Sequence, residues 1–220
     1  MNDLRIIKSS ADFKYKNSRY NIHTIGDSHA FKASCVEGVK PQVIQHHLGP
    51  VLCYSFGVEK LNRCDIRKLN INNGDSIIFC LGEIDCRCHI HKHLNHETTY
   101  QTVIDRIVDN YFEAIKLNIQ VSKIKLKNVC VYNVVPPIQK HNTKEDPSFP
   151  YLGTDEERKN YVLYFNKKLK ENCNKNNFIF FNVYDKYTDE NGFLRKDMSD
   201  GICHLKNKIH VKNFIIENQI

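Results

Sequence analysis

Two stretches of this chain are apolar almost without a break, and they constrain the fold more tightly than any other feature. SIIFCLG at 76–82 and NVCVYNVV at 128–135 lack the apolar–polar alternation of a strand with one wet face. A strand that hides both faces belongs in a parallel sheet covered by helices on each side. Two amphipathic segments can supply that cover. Within 98–118, Tyr100, Val103, Ile104, Ile107, Val108, Tyr111, Phe112 and Ile115 recur at helical spacing, and Thr98 with Gln101 has the pattern of a capping box. A second helix is expected over 155–172, with Thr154 and Glu157 as its capping box and Tyr161, Phe165 and Leu169 facing inward. Further strands are expected at 21–25, 42–47 and 177–185, with extended structure at 51–56 after a break at Gly49-Pro50 and a closing helix at 207–219. Strands alternating with helices make this an α/β protein.

The chain's 220 residues suffice for one sizeable α/β domain and fall short of two. We therefore expect a single domain over 1–220, with 1–20 as an N-terminal extension. The segment 138–153 is a long loop leaving the carboxyl edge of the sheet, where open α/β sheets bind ligands, and is a candidate lid. No apolar run is long enough to span a membrane, and the first twenty residues are too polar for a signal peptide, so a cytoplasmic location is expected. The odd count of nine cysteines fits a reducing compartment, with Cys80 and Cys130 as small buried hydrophobes. The formal charge of +7 comes from lysines spread along the chain, a solvated surface rather than a nucleic-acid footprint, and no nucleic-acid-binding motif accompanies it.

Two short patterns at opposite ends of the chain carry residue types suited to nucleophilic catalysis. Gly26-Asp27-Ser28-His29 follows the first strand, and Asp200-Gly201-Ile202-Cys203-His204 precedes the last helix. A serine becomes nucleophilic only when a base takes its proton, and that base needs a third group to orient it. Taken alone, each pattern also fits an ordinary turn, because Asp and Ser favour turns and helix N-caps.

GDSH after the first strand, Gly82-Glu83-Ile84-Asp85 after the third and DGICH before the last helix together resemble the blocks of the SGNH (GDSL-type) hydrolase superfamily. The resemblance spans nearly the whole chain in order and spacing. It implies a three-layer α/β/α, flavodoxin-like fold and an esterase-type activity, with a carbohydrate O-acetylesterase as the leading substrate class and O-acyl transfer by the same acyl-enzyme. It also implies Ser28 as nucleophile, His204 as general base and Asp200 as the orienting acid. Oxyanion donors would be the N–H of Ser28 and that of a glycine after the second strand, Gly49 by preference and Gly57 as the fallback. The GDSH and GEIDCRCH forms resemble a viral or bacterial sub-branch. Two departures stand out. Ile84 occupies the place of the superfamily's oxyanion-donating Asn, which Arg87 or His89 could replace. The final block has three residues between Asp200 and His204 instead of two, whereas Asn207 and His210 keep the shorter spacing without a carboxylate.

Cys86, Cys88, His89, His91, His93 and His96 are metal-ligand residue types, but their spacings match no common zinc pattern. We instead expect Asp85, Arg87 and His89 to leave the strand at the cleft edge and bind substrate. Phosphate-loop, dinucleotide and H-E-x-x-H patterns are absent, so no cofactor and no metal is expected. The expected partner is a small acylated molecule, a glycan by preference, with neither a membrane nor a specific nucleic acid. The rival reading is a non-catalytic module of the same fold that binds glycan or protein, for which Ile84 speaks.

Overall fold

A computed structural model of the chain describes residues 20–36, 39 and 42–220. The proposed extension at 1–20 therefore lies outside the described residues, apart from Tyr20. Five strands form one fully parallel sheet: β1 Ile22–Gly26, β2 Val43–His47, β3 Ser76–Cys80, β4 Asn128–Tyr132 and β5 Ile179–Phe181. Their order across the sheet is β2-β1-β3-β4-β5. Helices α1 Cys53–Glu59, α2 Tyr100–Ser122, α3 Asp155–Asn176 and α4 Ile209–Glu217 complete an α/β fold. Among the described residues no helix is long and apolar enough to cross a membrane.

The continuous apolar runs are explained by cover on both faces. Ile77, Phe79 and Val131 pack with residues of α1, α2 and α3, whereas Ile78, Cys80, Cys130 and Tyr132 pack with Val211 and Ile215 of α4. Phe79 meets Phe56 of α1 edge-on at 5.9 Å, and Phe56 meets Tyr111 of α2 at 5.3 Å. Aromatic pairs of this kind contribute about 0.5–1.5 kcal/mol each beyond the area they bury.

Several boundaries differ from the sequence expectation. Residues 51–56 are not extended; most of them form α1. Leu52 offers this helix no side-chain cap, and its first N–H groups donate instead to Asp85, 32 residues away. The cap of α2 is Thr99, which accepts from Thr102 N–H, one residue later than the expected Thr98. The Thr154–Glu157 capping box forms as expected, and α3 continues to Asn176. β5 is shorter than 177–185 because Asn133 Oδ1 accepts the Val183 N–H and the chain turns at Tyr184–Lys186. β4 ends at Tyr132, where Asn166 Oδ1 accepts the next free N–H, that of Val134.

What positions the site is the level ending of three adjacent strands. Gly26 pairs with His47 on one side and Cys80 on the other. A Cβ on Gly26 would lie 1.9 Å from the Cys80 carbonyl oxygen, so only glycine lets β1 close onto β3 here. The segments that follow, 27–29, 48–50 and 81–83, therefore leave the same edge together.

Candidate active site

Immediately after Gly26, Asp27 is buried and shapes a turn. Its Oδ1 accepts from the His29 N–H at 2.8 Å and from His29 Nδ1 at 3.2 Å, while the Ala30 N–H donates to the Asp27 carbonyl. Ser28 is the exposed apex between these buried neighbours.

The other half of the site is a tight loop at 199–205, closed by an antiparallel bridge between Ser199 and Leu205. Asp200 Oδ1 accepts from the N–H groups of Ile202 and His204, and the Asp200 N–H donates to the His204 carbonyl. The turn passes through Gly201 at φ +86°. This compact loop accommodates the extra residue between Asp200 and His204. Asp200 Oδ2 lies 2.9 Å from His204 Nδ1, and His204 Nε2 lies 2.8 Å from Ser28 Oγ, 176 residues away in sequence. The structure thus brings Ser28, His204 and Asp200 into one hydrogen-bonded line. His210 is not part of it, since it lies in α4 with its ring against Tyr187.

The charges follow from these contacts. Burial alone would raise the Asp200 carboxyl, but hydrogen bonds from the Ile202 and His204 backbone and from the His204 ring hold it below the usual carboxylate range. His204 is raised, chiefly by the Cys203 sulfur beside it and also by Asp200, against the effect of burial. His29 is buried, which works against a proton, yet Asp27 raises it well above the usual imidazole value. Burial likewise works to raise the Cys203 thiol, but His204 and His29 outweigh it and lower it. The thiols of Cys53, Cys64, Cys80, Cys86, Cys88, Cys130 and Cys173 are all raised by burial.

Gly49 follows β2 as Ser28 follows β1, two residues beyond a register-paired position. The backbone N–H groups of Ser28 and Gly49 have no acceptor among the described residues. Gly57 does not serve as the fallback donor. It lies inside α1, where a Cβ would come within 2.9 Å of the Asn110 backbone, so it is a packing glycine between α1 and α2.

The expected substrate-binding residues are placed differently from the sequence reading. The chain does not continue as a strand beyond 82 but winds into helical turns from Glu83 to His93. Asp85 is fully buried, and both its oxygens are taken by the N–H groups of Cys53 and Tyr54. Burial pushes its carboxyl up to about 7, against the pull of those two hydrogen bonds. Arg87 is also buried, forms a bidentate pair with Glu83 and donates to the Phe149 carbonyl. His89 packs on Tyr54 and His93, and burial lowers it to about 4. Asp85 and Arg87 therefore brace the scaffold, and neither supplies the donor that Ile84 lacks. Among the described residues, the cysteines and histidines of 86–96 do not gather into a candidate metal cluster.

Sequence reasoning missed the residues that hold the 199–205 loop in place. Thr143 Oγ1 donates toward the carbonyls of Gly201 and Ile202, and the Tyr151 hydroxyl donates to Ile202 at 3.0 Å. The Leu152 N–H donates to the Arg87 carbonyl, so the 138–153 segment straps the helical turns after β3 to the His204 loop. Neither Thr143 nor Tyr151 stands in a pattern that could have revealed this.

No protein-family model and no curated protein matches the sequence. Solved structures do match. A GDSL-like lipase from Bacteroides thetaiotaomicron superposes with a TM-score of 0.57 at 12% identity, covering 99% of this chain and 96% of that one. A carbohydrate acetylesterase from Sinorhizobium meliloti gives a TM-score of 0.54 at 15% identity, covering 91% and 98%. The fold is that of the GDSL/SGNH hydrolases.

Proposed function

We propose that a chain with this fold and this serine is a serine-dependent acyl-ester hydrolase, with an acetyl ester on a carbohydrate as its substrate class. The observation that carries the reading is the hydrogen-bonded line from Ser28 through His204 to Asp200. Ser28 Oγ attacks the ester carbonyl while His204 Nε2 takes its proton. Asp200 holds the ring through Nδ1 and stabilises the imidazolium that forms. The negative charge that develops on the carbonyl oxygen falls to the N–H groups of Ser28 and Gly49. The tetrahedral intermediate then collapses: the ester's C–O bond breaks, His204 returns the proton to the leaving alcohol, and an acyl-Ser28 remains. Water, activated by the same imidazole, releases the acid; a sugar hydroxyl in its place would make the reaction an O-acyl transfer. The carbohydrate acetylesterase among the structural neighbours supports the choice of substrate class, by analogy of fold.

Ile84 favours a second reading, a binding module of the same fold that no longer hydrolyses. One experiment separates the two. Purified protein is treated with a fluorophosphonate, and its intact mass is read beside Ser28→Ala and His204→Ala. A single adduct on the wild type, absent from both variants, is expected for the hydrolase. An unmodified wild type, under conditions where a small carbamoylating probe also fails to react, would assign the chain to the binding module.

A further inference from the structure

A second constellation overlaps the site, sharing His204 with the proposed acyl chemistry and adding two side chains that the chemistry does not use. His29, Cys203 and His204 each present one ligand atom, and the three atoms lie within 4.8 Å of one another. Each imidazole has a carboxylate on Nδ1: Asp27 at 3.2 Å for His29 and Asp200 at 2.9 Å for His204. That leaves both Nε2 atoms directed toward residue 203 and Ser28, with His29 Nε2 donating to the Cys203 carbonyl at 3.2 Å. A carboxylate behind a ligating imidazole is the usual outer-shell support of a zinc site, because it fixes the tautomer and strengthens the ligand.

The spacing also suits a tetrahedral ion. Bond lengths of about 2.0 Å to nitrogen and 2.3 Å to sulfur give an N···S edge of about 3.6 Å. Cys203 Sγ lies 3.7 Å from His204 Nε2 and 3.9 Å from its Nδ1, beside the ring, so the imidazole must turn away from Ser28 for its Nε2 lone pair to face the ion. The three ligand atoms lie within 4.8 Å of one another, so the longest edge must close by up to about 1.5 Å to reach tetrahedral spacing.

We infer that His29 Nε2, Cys203 Sγ and His204 Nε2 form a site for a thiophilic divalent cation of the zinc class, and that filling it withdraws His204 from Ser28. On binding, the Cys203 thiol and His29 Nε2 each give up a proton to solvent, the bond from His29 to the Cys203 carbonyl is exchanged for one to the ion, and the fourth position is left for water. The ion is thus an inhibitor of the serine chemistry rather than its cofactor. The inhibitory half of this inference rests on the hydrolase reading; the binding half does not.

The test titrates reduced protein with Co2+, whose thiolate charge-transfer and tetrahedral visible bands report ligation without any activity assay. The wild type is compared with Cys203→Ser, His29→Gln and, as a control, Cys35→Ser. One equivalent with a thiolate band is expected, displaced by Zn2+ and retained in Cys35→Ser. The band should vanish in Cys203→Ser, and affinity should fall by at least about tenfold in His29→Gln. A wild type without the band, or a band that survives Cys203→Ser, overturns the site. Fluorophosphonate labelling then tests the consequence: Ser28 should label in metal-free protein and be protected by Zn2+. Labelling unchanged by saturating Zn2+ overturns the inhibitory role. If metal-free protein fails to label while the cobalt bands are present, the hydrolase reading falls and the binding site stands.

Discussion

Asp200 keeps 31% of its side chain exposed and lies within one loop of an imidazole, whereas Asp85 is fully buried and its oxygens accept from the backbone N–H groups of Cys53 and Tyr54. The first is held below the usual carboxylate range and the second is pushed up to about 7. One aspartate is suited to stabilising a positive ring; the other is a cap for α1 that does best without its charge. Residue type is the same, and solvent access with the choice of partner decides the role.

The comparison can be broken most sharply at Asp200. Asp200→Asn keeps the loop's hydrogen-bond geometry within reach but cannot stabilise the imidazolium, and kcat on a small acetyl ester should fall by about 10⁴-fold. A loss below tenfold would mean that Asp200 does not orient His204. Asp85→Ala should do the reverse. It leaves two buried N–H groups without an acceptor and should cost about 2–4 kcal/mol of stability, read by urea unfolding, while Ser28 in the folded protein still reacts with fluorophosphonate.

Acidity adds a finer test of the same residue. The Asp85 carboxyl keeps its proton in the folded chain up to about pH 7, whereas in the unfolded chain it releases it near about 4. The folded state binds the extra proton in that window, so the stabilising contribution is full below pH about 4 and is lost as pH rises toward about 7. The advantage of the wild type over Asp85→Ala should therefore shrink with rising pH, by about 1.4 kcal/mol per unit at most. His89, lowered to about 4, slopes the opposite way in both proteins and cancels from the difference. An advantage that grows with pH would show Asp85 to be ionised when folded.

The smallest effect is expected at Ile84. Ile84→Asn introduces an amide at the place where the sequence resemblance expects an oxyanion donor and should raise kcat by up to about 10²-fold, the usual contribution of one such donor. The gain would come with a lower Tm, because the amide enters a position only 4% exposed. An unchanged rate would mean that the oxyanion is held by the backbone of Ser28 and Gly49 alone.

Much of the fold was legible because it follows from local pattern. The unalternating runs at 76–82 and 128–135 specify strands covered on both faces, and β3 and β4 fall within them. The α3 capping box is likewise a matter of residues three apart. Helix α1 was not legible, since its cap is Asp85 from another segment, and neither were the straps from Thr143 and Tyr151. The turn of 83–93 was misread for a related reason: polar residues after a strand suggested a cleft edge, and burial of Arg87 against Glu83 and Phe149 is a tertiary fact.

What the sequence determined by itself is therefore the alternation of strands and helices, the level at which the β1 segment ends in GDSH, and the residue types of the site. Periodicity and turn chemistry act over a few residues, so they survive in the linear string. Only the tertiary structure decided which histidine meets Ser28, which aspartate keeps its charge, and that Cys203 joins His29 and His204. Those outcomes depend on solvent access and on contacts between segments up to 176 residues apart, which no local pattern records.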